Sequence, residues 1–183
     1  HDMGVDLSVV LLAYDYRELK DFWARRDMSL IDRSFLWQGD VRILLAIVKY
    51  IEDKRNVEHD VKVGVPVMIV VEDNFRYYSS FLPVIYTEVM KHSQQVISEG
   101  LNLSQKLLRM RARPKILLAS SYEEAWEYFS RFREDVLGVI SDIEFPRDGR
   151  RDPDAGTTLA SRIREARPDV PIALQSSYDE NRS

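Results

Sequence analysis

The sequence contains no cysteine, which excludes disulfide bonds, thiol nucleophiles and cysteine metal ligands. No apolar run approaches the roughly 20 residues that cross a bilayer, so no membrane-spanning helix is expected. Cations are not concentrated either. The formal net charge is −4, and the densest basic run is RMRAR at 109–113. Because binding to phosphate backbones needs clustered cations, we expect no nucleic-acid surface. The composition is typical of a cytoplasmic protein.

What the sequence does contain is a series of short aliphatic runs separated by amphipathic segments. The runs predict strands at 7–13, 30–37, 66–71, 115–120, 137–141 and 171–176. Continuous apolar strands are typical of a parallel sheet that is covered on both faces. Helical patterns lie between them, and one begins at Ser121 with a Ser-x-x-Glu capping signature. The alternation predicts an α/β fold with helices on both faces of a parallel sheet.

The segment 74–113 is too long for an ordinary crossover helix. Helical periodicity runs through FRYYSSFLPVIYTEVMKHSQQVIS, which includes Pro83, and is interrupted at Gly100 and Asn102. We expect an extended helix or a helical hairpin. Its apolar face either packs on the sheet or pairs with a second chain.

A linker is predicted at 57–65, VEHDVKVGV, between a first block at 5–56 and a second block at 66–183. The two blocks share a short sequence motif. VVLLAYDYRE (9–18) and IALQSSYDEN (172–181) both place an aliphatic strand before a Tyr-Asp pair. This similarity indicates an internal repeat.

Polar residues follow three strands of the second block. IVVED ends in Glu72 and Asp73, GVISD ends in Asp142, and IALQSS ends in Ser176 and Ser177. The carboxyl ends of parallel strands share one edge, so these groups would converge there. Mg²⁺ would relieve the repulsion between the carboxylates, and a carboxylate could then attack a phosphoryl group. Structural interpretations remain open: Asp142 could start a turn, and the other groups could cap helices.

The motifs VVEDN, VISDIEFPRDG and PIALQSS resemble those of the receiver domains of bacterial two-component response regulators, in the same order. The resemblance covers about residues 64–183 and implies a flavodoxin-like sheet. It also implies that Asp142 is the phosphoacceptor and that Glu72 and Asp73 are the acidic metal pair. Glu144 would offer its backbone carbonyl to the metal, and Ser176 would be the switch hydroxyl. The implied cofactor is Mg²⁺, and the implied partner is a sensor histidine kinase or a phosphotransfer protein.

The sequence departs from the family in three ways. It ends at Ser183, before the fifth strand and the lysine that the family places there. The insertion RDGRRDPDAG leaves Gly149 and Gly156 as alternatives for the family's glycine position. The first block resembles the end of a degenerate receiver, with Leu12 where Ser176 stands in the second block. We therefore expect a fragment of tandem receivers, similar to those that precede a pyruvate phosphate dikinase-like module in some bacterial proteins.

Residues 30–55 could supply the missing fifth strand and helix, within one chain or between two chains. A homodimer could accordingly form through the long helix or through a swapped strand. Three functions compete. The first is a phosphorylatable receiver, which is not an enzyme. The second is a pseudo-receiver that serves as an interaction or dimerisation module. The third is a phosphohydrolase of the haloacid-dehalogenase kind, which would need an aspartate where Glu144 stands.

Overall fold

A computed structural model of the protein describes residues 8–17, 19, 29–98 and 113–176. The strands are β1 Val10–Ala13, β2 Arg33–Leu36, β3 Val67–Val71, β4 Lys115–Ala119, β5 Val136–Asp142, β6 Phe145–Arg147, β7 Arg150–Asp152 and β8 Ile172–Gln175. The helices are α1 Arg42–Val61, α2 Phe75–Ser98, α3 Tyr122–Arg131 and α4 Ala155–Ala166. All six predicted strands are confirmed, by β1 to β5 and β8.

The main sheet has four parallel strands in the order β4-β3-β5-β8. At its centre, Val71 of β3 pairs with Ala119 of β4 on one side and with Ser141 of β5 on the other. On the far side of β5, Asp142 pairs with Gln175 of β8. Because all four strands point the same way, their carboxyl ends share one edge. The predicted parallel α/β sheet is confirmed.

Helices cover both faces of this sheet, because alternate residues of a strand point to opposite sides. Ile69 of β3 lies in one core with Phe129 of α3 and Leu159 of α4. Its neighbour Val70 lies in the other core, with residues of α1 and α2 such as Tyr86. The two cores explain why the strands read as unbroken apolar runs.

Strands β1 and β2 pair with each other in parallel and form a separate two-stranded sheet. Strand β2 packs on α2, where the Leu36 N–H donates to Ser79 Oγ at 2.9 Å and the Tyr78 hydroxyl donates to the Ser34 carbonyl. Across the described ranges, β2 does not join the main sheet. The prediction that residues 30–55 complete that sheet within one chain is therefore wrong. Exchange between two chains stays a prediction.

Buried charges explain where the first block docks instead. Asp53 of α1 is fully buried and accepts two hydrogen bonds from the Arg113 guanidinium, at 2.6 and 2.8 Å. It also accepts from the backbone N–H of Ile116 at 3.0 Å, and nearby Lys115 pairs with Asp60 at 2.6 Å. These contacts hold α1 beside β4, at the opposite end of the sheet from β8.

Helix α1 continues to Val61, so residues 57–61 of the predicted linker are helical, and Val57 is buried. The division of the chain at this linker stays a prediction. Helix α2 spans 24 residues with Pro83 inside it, and the choice between an extended helix and a helical hairpin for 74–113 stays a prediction. The remainder of that segment, 99–112, lies outside the described residues. Of the helices that are described, none has the length and apolar character needed to span a bilayer.

Candidate acidic metal site

Three carboxylates meet at the carboxyl edge of the main sheet. Glu72 and Asp73 directly follow β3, and Asp142 is the last residue of the neighbouring β5. One oxygen from each of the three side chains lies within 4.8 Å of the other two. The sequence-predicted convergence of these residues is therefore present, and their oxygens are the ligand type that Mg²⁺ prefers.

Glu72 and Asp142 are buried, Asp73 is half-buried, and the three carboxylates are incompletely hydrogen-bonded. Glu72 is 0% exposed, and its Oε1 accepts from the Asn74 N–H at 3.0 Å. Within the described part of the chain, Glu72 Oε2 and Asp73 Oδ1 are buried without a hydrogen-bond partner. Asp142 is 6% exposed, and one of its oxygens accepts from the Ile143 N–H at 2.7 Å. Unpartnered buried oxygens are costly, and a bound cation would satisfy them.

The capping interpretation of the 72–74 cluster applies to Asn74, because its side-chain oxygen accepts from the Arg76 N–H at 3.0 Å near the start of α2. Glu72 instead accepts from the Asn74 N–H with one oxygen, and the other has no partner among the residues that the structure describes. A cap therefore does not account for the buried Glu72 carboxylate.

Burial also sets the protonation of the site. Desolvation raises the pKa of Glu72 to about 7, and the nearby charges of Asp142 and Asp73 act in the same direction. Burial likewise raises the pKa of Asp73 and of Asp142 above their usual values. A divalent cation would therefore have to compete with a proton for Glu72 near neutral pH.

The other two predicted site residues lie at the same edge. Glu144 is two residues beyond Asp142, and its side chain accepts from Arg151 Nε at 2.6 Å. Ser176 follows Gln175, the residue of β8 that pairs with Asp142, and it is exposed. The metal-ligand role of the Glu144 carbonyl and the switch role of Ser176 stay predictions. Ser177 lies outside the described residues.

The structure separates the two glycine alternatives. Gly156, in the first turn of α4, donates its N–H to the Ile143 carbonyl at 2.9 Å. A Cβ atom at this position would lie 2.2 Å from the Asp142 carbonyl oxygen, so only glycine allows this approach. Gly149 lies in a turn, with a φ of 72°. Gly156 is therefore the glycine that packs against the end of β5.

The insertion after Asp142 forms an antiparallel hairpin of β6 and β7. Asp148 and Gly149 make its turn with φ values of 50° and 72°, as the two central residues of a type I′ turn require. The hairpin brings Arg151 to the site, with its Nη1 3.7 Å from Asp73 Oδ2. Sequence reasoning missed this arginine, although an Asp-Gly pair between two short arms is a hairpin signal.

No family model, curated protein or solved structure matches the chain. The resemblance to receiver domains therefore rests on the sequence motifs alone.

Proposed function

We propose that this protein is a receiver domain that accepts a phosphoryl group on Asp142 in the presence of Mg²⁺. The observation that carries the proposal is the convergence of the Glu72, Asp73 and Asp142 carboxylates. Two of them have buried oxygens with no hydrogen-bond partner in the described ranges. These three side chains would hold the cation, together with the backbone carbonyl of Glu144. A sensor histidine kinase or a phosphotransfer protein would supply the phosphoryl group.

The sheet order supports this proposal. When the four strands of the main sheet are numbered along the chain, β4-β3-β5-β8 reads 2-1-3-4, which is the order of a flavodoxin-like sheet without its fifth strand. In such sheets ligands bind at the carboxyl ends of the strands, beside the first strand. Glu72 directly follows the first of these strands, and Asp142 is the last residue of the third.

For phosphoryl transfer to Asp142, the protein has to position the reacting groups and stabilise their charge. A carboxylate oxygen of Asp142 attacks phosphorus, the bond from phosphorus to the leaving group breaks, and the leaving group departs with the electron pair. With acetyl phosphate, the products are an acyl phosphate on Asp142 and acetate. Mg²⁺ would neutralise the charge of the incoming phosphoryl group. Glu72 and Asp73 would remain anionic ligands, and Gly156 would keep the end of β5 in place.

Intact-mass measurement tests the proposal. The protein is incubated with Mg²⁺ and acetyl phosphate, and wild type is compared with Asp142→Asn and with Asp169→Asn, a matched change at an exposed aspartate. We expect one phosphoryl adduct, released by alkali, on wild type and on Asp169→Asn. Asp142→Asn should carry none. An adduct that survives in Asp142→Asn would refute the assignment of the phosphoacceptor.

A second candidate function is a pseudo-receiver that associates with a second copy and is not phosphorylated. An exposed apolar row at the start of α1 favours it: Val41, just before the helix, and Leu44, Leu45 and Val48 within it are 37–66% exposed at helical spacing. Sedimentation of wild type and Leu44→Glu/Val48→Glu tests this function. A dimer that dissociates in the double variant, in a protein that forms no phosphoryl adduct, would favour this candidate over the receiver.

A further inference from the structure

Arg151 lies at the rim of the acidic site in a position that the fold itself sets. Its strand, β7, is held by pairing with β6, in which Phe145 is fully buried. The turn of the hairpin is tied to α3, because the Asp148 N–H donates to Glu123 Oε1 at 2.9 Å. The backbone of Arg151 is therefore anchored at two points, and its side chain extends from a defined place beside the site.

The Arg151 guanidinium bridges two carboxylates, which it contacts at different distances. Its Nε donates to Glu144 Oε1 at 2.6 Å, which is a close ion pair. Its Nη1 lies 3.7 Å from Asp73 Oδ2, which is a looser contact. Glu144 thus holds Nε of the guanidinium, while its Nη1 edge faces the carboxylate of Asp73.

Two properties of this arrangement point to a ligand. A guanidinium has five N–H donors in a planar fork, more than the two carboxylate contacts seen here, and the fork matches phosphate oxygens well. Asp73 is also a candidate metal ligand, so Arg151 and a divalent cation would compete for the same carboxylate. When the cation binds Asp73, the Nη1 edge of Arg151 is freed while Nε stays on Glu144.

We propose that Arg151 is the oxyanion-binding residue of this site. A divalent cation displaces Arg151 from Asp73, and the guanidinium of Arg151 then binds an oxygen of the phosphoryl group on Asp142. This inference rests on the proposed function. The hairpin insertion then has a role, because β6 and β7 place the Arg151 guanidinium at the edge of the main sheet. Glu144 is the positioning residue for Arg151.

The inference predicts opposite effects of one substitution on two measurements. In Arg151→Gln, Mg²⁺ should bind about fivefold more tightly by calorimetry, because the competing cation is gone. The same variant should form the acetyl-phosphate adduct at least about tenfold more slowly, because a charge-assisted contact to the phosphoryl oxygens is lost. A variant that was merely misfolded would lose both properties together.

Arg150→Gln is the matched control, because Arg150 is the neighbouring residue of β7, is exposed, and loses the same charge. It should leave Mg²⁺ affinity and adduct formation unchanged. Arg151→Lys keeps the charge and lacks the fork, so it should bind Mg²⁺ nearly as wild type does and still form the adduct slowly.

Each outcome bears on one of the two proposals. If wild type forms the adduct and Arg151→Gln forms it equally fast, the inference is overturned and the receiver function stands. Mg²⁺ affinity that is unchanged or weaker in Arg151→Gln also overturns the inference, with or without phosphorylation. If wild type forms no adduct, the receiver function is overturned, and the assignment of Arg151 to a phosphoryl group falls with it.

Discussion

Without metal, the protein should become less stable as the pH rises from about 4.5 to 7, and Glu72→Gln should remove much of that loss. Glu72 is fully buried; one of its oxygens accepts from the Asn74 N–H, and the other has no partner in the part of the chain that is described. Burial raises its pKa from 4.5 to about 7. Between these two values the folded protein keeps a proton that the unfolded chain has released. Stability therefore falls as the pH rises through this interval.

The size of the effect follows from the pKa difference. Each pH unit between the two pKa values is worth about 1.4 kcal/mol, so Glu72 alone accounts for a loss of up to about 3 kcal/mol. Asp73 and Asp142 contribute with the same sign, because burial raises the pKa of each. The contribution of Glu72 is therefore the part of the pH-dependent loss in unfolding free energy that Glu72→Gln removes. The glutamine side chain has nearly the same shape as glutamate and no charge.

Urea unfolding in EDTA at pH 5.5 and pH 8 measures this difference. At pH 8, Glu72→Gln should be more stable than wild type, and at pH 5.5 the two should be closer. Glu127→Gln, at an exposed position of α3, is the control and should follow wild type. Millimolar Mg²⁺ should stabilise wild type at pH 8 more than it stabilises Glu72→Gln. A gap between wild type and Glu72→Gln that is equal at both pH values would refute the reasoning.

Three further predictions concern the residues that support the site. Asp53→Ala should lower the free energy of unfolding in urea by about 3–5 kcal/mol, because it removes the buried bidentate partner of Arg113 and leaves the 3.5 Å contact to Glu52; a loss below about 1 kcal/mol would contradict this. Gly156→Ala should lower stability and abolish the phosphoryl adduct, because its Cβ would lie 2.2 Å from the Asp142 carbonyl oxygen; a normal adduct by intact mass would argue against it. Ser121→Ala should cost about 1 kcal/mol in thermal unfolding, because Ser121 Oγ accepts from an N–H in the first turn of α3, and an unchanged midpoint would show that the cap is unimportant.

The strands and the acidic site were predictable from sequence because their signals are local. An aliphatic run of five residues is enough to indicate a buried parallel strand, as β3 and β4 show. A carboxylate directly after such a run lies at the carboxyl edge whatever the order of the strands. The grouping of Glu72, Asp73 and Asp142 needed only that β3 and β5 be neighbours, and their pairing meets that condition.

The docking of the first block was not predictable in this way. The bidentate pairing of Asp53 with Arg113 joins residues 60 positions apart, and nothing near either residue in the sequence marks the other as its partner. A strand-like run such as that of β2 also does not specify which strand it pairs with. The expectation that residues 30–55 would complete the main sheet followed from the fifth strand that the second block lacks relative to receiver domains. Strand β2 pairs with β1 instead.

The sequence by itself determined the alternation of strands and helices and the carboxylates at the strand ends, because hydrophobic periodicity and strand polarity are properties of short segments. Only the tertiary structure decided which glycine touches the end of β5 and where the first block docks. It also brought Arg151 to Asp73, a residue 78 positions earlier in the chain. Such contacts arise when distant segments pack together, so their geometry depends on the whole fold rather than on any one stretch of sequence.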